Sequence, residues 1–260
     1  MKTKNEGLIT IGEILSDNNK VENITRKKER VIVNKNNPIN KIGLEIECFI
    51  RSEEKSMLYG LSLDDNEYLA NDLRDRGVSV DEIGWDSSID SFPFFINGMY
   101  NANCFEIKLL YKYEGYIFIQ KLEKAASVIF RHFEQNKSCG NHIHISWENS
   151  FKAAEELMKP DATEYFIRRY REEYKDSGKY ISRLNNKYCY QVWEFESISD
   201  YLDYRKKNKH KEHRYSVINY ESLFKHGTVE FRIMPHAEDW YEYVDQVEWL
   251  IGVVKEILYH

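Results

Sequence analysis

The chain has 260 residues, 42% of them hydrophobic and 31% charged. That is enough apolar material for a sizeable core and too much for a disordered chain. The net charge of −6 argues against a dedicated nucleic-acid binder, whose domain is usually basic. No stretch approaches the roughly 18 apolar residues that span a bilayer, and the N-terminus lacks an apolar run fit for a signal peptide. The four cysteines form no Cys-x-x-Cys pair, which fits reduced thiols better than zinc ligands. A soluble, cytoplasmic protein without membrane contact is the expectation.

Residues 1–40 carry eight Asn, several Lys and Arg, and only short apolar pieces. They read as an N-terminal extension, with the compact domain beginning at Lys41. From there strand and helix signals alternate. Ile42 to Ile50 reads as a strand, Asp65 to Arg76 as a polar helix and Phe105 to Leu110 as a strand. Residues 116–135 place Phe118, Leu122, Ala125, Ala126, Ile129 and Phe133 at helical spacing. His142 to Trp147 is a strand. Residues 150–177 are helical, broken at Pro160, with Asp161 as N-cap. Residues 178–213 are Tyr-rich and basic and read as a long excursion. Thr228 to Met234 is a strand, and Asp239 caps a last helix with Val244, Val247, Leu250, Ile251, Val254 and Leu258 on its apolar face. The order predicts an α+β fold: an antiparallel sheet with helices on one face, not a regular βαβ alternation.

Side chains on a strand alternate between faces. In GLEIECF, Glu45 and Glu47 oppose Leu44, Ile46 and Cys48. In FEIKLL, Glu106 and Lys108 oppose Phe105, Ile107 and Leu109. In HIHIS, His142, His144 and Ser146 oppose Ile143 and Ile145. In TVEFRI, Thr228, Glu230 and Arg232 oppose Val229, Phe231 and Ile233. If these four strands are neighbours, one face collects four carboxylates, two imidazoles, a Lys and an Arg. So many carboxylates cannot all stay ionised without cations. Carboxylates with imidazole suit a hard divalent ion, Mg2+ or Mn2+, better than zinc. Arg232 and Lys108 add positive charge for anionic groups, the arginine as a bidentate fork. Metals and cations around an anion describe phosphoryl transfer. Neither a P-loop nor a Gly-x-Gly-x-x-Gly turn is present. Taken singly, each pair also reads as a solvated strand face or a cross-strand ion pair.

The blocks GLEIE, WDSSID, FEIK, CGNHIHIS, RYSVIN and GTVEFRIMP occur in an order that resembles the amidoligases, carboxylate–amine ligases related to glutamine synthetase and γ-glutamylcysteine synthetase. The resemblance covers about residues 41–257, with a divergent middle around 150–210. It implies a curved antiparallel sheet, a glutamine synthetase-like catalytic half-barrel with helices on its convex face. It also implies ATP and Mg2+ or Mn2+ as cofactors. Carried over residue by residue, Glu45, His142 and Glu230 resemble ligands of the ion that bridges the nucleotide phosphates. Glu47 and Glu106 resemble ligands of a second ion, with Asp86 contributing. His144 is similar to the second histidine of its block, near the phosphates, and Arg232 to the arginine that stabilises the transferred phosphoryl group. Arg214 and Asn219, with Lys108, fall where nucleotide or substrate would be contacted.

The implied reaction joins a carboxylate and an amine (on an amino acid, peptide or protein side chain) through an acyl phosphate. FEIKLL departs from the family's shorter strand ending. The basic run from Arg205 to Arg214 is longer than the pattern suggests and reads as a solvated loop or a lid. Two other readings of the residues stand beside this one. One is a metal-dependent hydrolase using the His142–His144 pair. The other is a non-enzymatic binding module.

Overall fold

A computed structural model describes residues 37–50, 66–85, 94–96, 99–101, 104–186, 189, 195–207 and 215–259. The extension before Asn37, Asp86, and the stretch 208–214 with Arg214, His210 and His213, lie outside the described residues.

The described residues form an α+β fold with a seven-stranded antiparallel sheet, a separate two-stranded hairpin and eight helices. The strands are β1 (Ile39–Ile50), β2 (Val80–Trp85), β3 (Phe94–Ile96), β4 (Met99–Asn101), β5 (Cys104–Lys112), β6 (Phe133–Glu134), β7 (Gly140–Trp147), β8 (Ile218–Asn219) and β9 (Val229–Pro235). The helices are α1 (Asn66–Asp75), α2 (Tyr116–His132), α3 (Ser150–Met158), α4 (Pro160–Glu173), α5 (Gly178–Arg183), α6 (Ile198–Lys207), α7 (Glu221–His226) and α8 (Trp240–Leu258). The main sheet runs β2-β5-β1-β7-β9-β8, with β6 pairing the end of β1, and β3 and β4 make the hairpin. The four strands with ionisable pairs are therefore consecutive neighbours.

β1 lies at the centre because both of its edges are paired. Leu44 faces Leu109 of β5 on one side and Ile143 of β7 on the other. The alternation expected from the sequence is realised: Ile42, Leu44, Ile46, Ile107, Leu109, Ile143, Ile145, Val229, Phe231 and Ile233 are essentially fully buried. They share one core with Phe118, Leu122 and Ile129 of α2 and Val247, Leu250 and Val254 of α8. Each such side chain contributes about 1.5–3 kcal/mol relative to exposure. No helix of the described residues is long and apolar enough to cross a membrane.

Several boundaries differ from the sequence reading. β1 begins at Ile39, before Lys41, because Asn37 ties its start to the loop after β7: its amide donates to the Asn149 carbonyl at 2.8 Å and its carbonyl oxygen accepts from the Asn149 N–H at 2.7 Å. Asp161 is not an N-cap. Lys159 occupies that position, Pro160 starts the helix where its missing N–H costs nothing, and Asp161 sits in the first turn. Asn149 does cap α3, accepting from the Lys152 N–H at 3.0 Å, and Asp239 caps α8 by accepting from Glu242 N–H at 2.9 Å.

The Tyr-rich excursion is no mere loop. It holds α5 and α6, and Tyr180, Cys189 and Tyr201 join the core. Phe195 packs edge-on against Tyr201, so the described part of the aromatic stretch is a packed subdomain. Arg205 of the basic run pairs with Glu221 at 2.8 Å and lies over the Phe224 ring, which anchors the end of α6. Short strands β2, β6 and β8 escape sequence detection because two to six residues carry too little periodicity.

Leu44→Ala is expected to lower stability by roughly 3 kcal/mol through transfer and cavity terms. A denaturant midpoint barely moved by the substitution would show that β1 does not cross the centre of the core.

Candidate metal and anion site

The polar face of the sheet is built by register. Glu45 of β1 stands opposite Lys108 of β5 and opposite His142 of β7. Glu47 stands opposite Glu106. His144 stands opposite Gly43 on one side and Glu230 of β9 on the other, and Glu230 opposite Asn219 of β8. Of the residues expected from sequence, the structure thus brings Glu45, Glu47, Glu106, Lys108, His142, His144, Asn219, Glu230 and Arg232 onto one face. A small residue is needed at Gly43: a Cβ there would come within 3.2 Å of the His144 Cβ.

The centre of this face is not a solvated surface. His142, Glu230, Glu47, Asn219 and His144 are all less than a tenth exposed. Glu45 lies between the two imidazoles, its Oε2 3.2 Å from His142 Nδ1 and its Oε1 3.3 Å from His144 Nε2. His142 Nε2 reaches to 3.5 Å of Glu47 Oε1, and its Nδ1 to 3.7 Å of Glu230 Oε1. Glu47 also accepts from the Gly140 N–H. Glu230 accepts from the Arg232 guanidinium through Oε1 and from the Asn219 amide through Oε2. Asn219 in turn accepts from the Glu221 N–H at 3.0 Å, which fixes its amide.

His144 is oriented from behind. Its Nδ1 meets the hydroxyls of Ser222 and Thr228, each at 3.1 Å. Its Nε2 is buried without a hydrogen bond, close to Glu45 but outside hydrogen-bond geometry. With the two hydroxyls at Nδ1, Nε2 is the ring nitrogen left facing Glu45 and the site, where loss of its proton would present imidazole to a metal. Ser222 and Thr228 stand behind the ring as orienting groups. His226, exposed at the end of α7, sets its ring 6.4 Å from that of His144.

Two groups of three ligand atoms fall within 4.8 Å of one another: Glu45, His144 and Glu230, and Glu45, Glu106 and His142. They share Glu45. The family resemblance sets His142 with Glu45 and Glu230, and His142 Nδ1 also lies 3.2 Å from Glu45 and 3.7 Å from Glu230. Glu47 is engaged by the Gly140 N–H and His142 rather than standing in either group. Lys108 pairs with Glu82 at 3.0 Å and Glu106 at 3.3 Å, so its charge is already committed at the β5 edge.

The charges are strongly coupled. Burial works against ionised Glu45, but the two histidines outweigh it and hold its carboxyl well below the usual range. Burial disfavours protonated His144, yet Glu45 and Glu230 raise its pKa. Glu230 is held down against burial by Arg232 and the histidines. Glu106 is raised, first by burial and then by repulsion from Glu45. This half of the face holds more negative charge than its cations offset, which is a setting that favours a divalent ion.

The four cysteines are buried and form no disulfide with one another, and burial raises the thiols of Cys48, Cys139 and Cys189, that of Cys139 up to about 12.

Sequence reading passed over Arg183, at the end of α5, whose guanidinium approaches Gly140 and the Arg232 carbonyl. Its position in a stretch without strand periodicity gave no signal.

Because the Glu106 pKa is raised in the folded state, ionised Glu106 costs stability above the ordinary glutamate value of 4.5 and costs nothing well below it. Glu106→Gln is expected to raise the melting temperature of metal-free protein at pH 7 by a few degrees, about 2–4 °C per kcal/mol, with the gain fading below pH 4.5. A melting temperature that falls at pH 7 would contradict this. No protein-family model matches the chain, and no curated protein shows significant similarity to it.

Proposed function

We propose that the protein is an ATP-dependent carboxylate–amine ligase of the amidoligase kind, with its sheet acting as a glutamine synthetase-like half-barrel. The observation that carries this reading is the pair of ligand groups sharing Glu45, set beside Arg232 on a buried polar face. The donors fit Mg2+ or Mn2+: each group offers two carboxylates and one imidazole, and the buried His144 Nε2 is left without a hydrogen bond. When bound, such ions offset the charge of nucleotide phosphates.

The residues then have separate tasks. Glu45, common to both ligand groups, would help hold the ions. Ser222 and Thr228 would hold the His144 ring with Nε2 toward them. Asn219 keeps Glu230 in place through its Oε2. Arg232, which contacts Glu230, would be available to a phosphate oxygen when Glu230 holds an ion, and would stabilise the transferring phosphoryl group. The substrate carboxylate attacks the γ-phosphorus, the bond to the bridging oxygen breaks and ADP leaves. The amine attacks the acyl carbon, expels phosphate and gives up a proton to it. A cytoplasmic setting, where ATP is supplied and thiols stay reduced, agrees with the absence of a disulfide among the four cysteines.

The alternative of a two-histidine hydrolase site is less well supported, since His142 and His144 fall into different ligand groups. A passive docking face is less well supported too, since its ionisable residues are mostly buried.

Calorimetric titration with Mn2+ and a non-hydrolysable ATP analogue tests the reading. Wild type should bind nucleotide only with metal, and Glu230→Gln should weaken that binding by about tenfold or more. Wild type that takes up Mn2+ but binds no nucleotide would sink the proposal. Tightly held zinc or iron in purified protein would favour the hydrolase instead.

A further inference from the structure

Arg183 is buried, only 6% exposed, and forms no ion pair among the described residues, while the Glu47 carboxylate accepts from the N–H of the neighbouring Gly140. Its Nη2 donates to the Arg232 carbonyl at 3.1 Å, while its Nε is buried with no hydrogen-bond partner. A guanidinium stays charged in proteins. A buried cation held by no ion pair is costly, and its unsatisfied Nε leaves donor capacity that a ligand oxyanion would meet.

The placement is built rather than incidental. Tyr180, one turn earlier on α5, donates its hydroxyl to Glu242 at 2.7 Å and accepts from the Gln246 amide at 2.9 Å. The Tyr180 carbonyl accepts from the Tyr170 hydroxyl at 2.9 Å. Gln246 also accepts from Asn141 of β7 at 2.8 Å, so α5, α8 and β7 are locked together. The guanidinium then fits against Gly140. A Cβ at that position would stand 2.5 Å from Arg183 Nη2 and 3.4 Å from His142 Nε2. The space of one missing methyl thus puts the cation beside the imidazole of the candidate site.

We propose that Arg183 is an anion-recognition residue, binding an oxyanion of a ligand at the Gly140 end of the polar face. The proposal rests on that face being a ligand site, and under the ligase reading the oxyanion is a substrate carboxylate or a nucleotide phosphate. Arg183 and Arg232 would then grip two anionic groups from adjacent positions, with only Arg232 compensated beforehand by Glu230.

The test uses the full chain, with inorganic phosphate and acetate as probes at constant ionic strength, followed by melting temperature and calorimetry. Wild type should show saturable binding of at least one probe, weakened about tenfold or more in Arg183→Gln. Gly140→Ala should lose the probe as well, since it displaces the guanidinium but keeps its charge. Mn2+ uptake by Arg183→Gln should equal that of wild type. Ligand-free Arg183→Gln should melt within a few degrees of wild type or above it, because a buried unpaired charge is removed. Phosphate active and acetate silent would assign the pocket to the nucleotide, and the reverse to the substrate carboxylate. No saturable probe on wild type, or equal binding in wild type and Arg183→Gln, overturns the proposal. If Arg183→Gln does not fold, Gly140→Ala decides by the same criterion. Loss of probe binding in a protein that never binds nucleotide would leave the anion site standing and remove the ligase reading.

Discussion

The polar face depends on where the Glu45 carboxylate sits. Its two oxygens meet His142 and His144 at 3.2 and 3.3 Å, and both candidate ion positions draw on it. That position follows from β1 being paired on both edges. Glu45 faces Lys108 on one side and His142 on the other, while the flanking Leu44 and Ile46 are sealed in the core. A one-residue slip of β1 would move Glu45 into hydrocarbon and Leu44 onto the polar face. The hydrophobic side of the strand therefore fixes the electrostatics of the other side.

A second layer of groups keeps this arrangement in one geometry. Gln135 donates to the Glu47 carbonyl at 2.6 Å and to Asn141 at 2.8 Å, and accepts from Ala237 N–H at 2.7 Å. Asn141 passes on to Pro235 and Gln246. Buried amides of this kind are satisfied on several sides at once, which ties β1, β7, β9 and α8 to one register. On the far side, Ser222 and Thr228 share a 2.7 Å contact and together hold the His144 ring. The site is thus carried by sheet strands and a short helix, and not by a mobile loop alone, which suits a site that must hold several like charges close together.

Charge on the face is divided unevenly. Toward β9, Arg232 and Asn219 satisfy Glu230. Toward β5, Glu106 is left to Lys108, which is shared with Glu82. A cation is therefore most favoured on the β1–β5 side and beside His144. At the Gly140 end the Glu47 carboxylate and the Arg183 guanidinium both approach the Gly140 backbone.

The sequence by itself determined which faces were polar. Period-two alternation in four short blocks was strong enough to separate Glu45 from Leu44, His142 from Ile143 and Glu230 from Phe231, because strand geometry forces neighbours to opposite sides. It also located the main helices, the Asp239 cap and the α+β class. Only the tertiary structure decided strand order, and with it that both His142 and His144 stand within reach of Glu45. That choice depends on cross-strand register, which is a property of pairs of segments far apart in the chain. Burial of the polar face, the Ser222 hydroxyl behind His144, and Arg183 were likewise hidden, since Ser222 and Arg183 come from short helices whose local pattern carries no periodic signal. Asp86 and Arg214 lie outside the described residues. What the local chain encodes is direction of side chains; what only folding supplies is which of them meet.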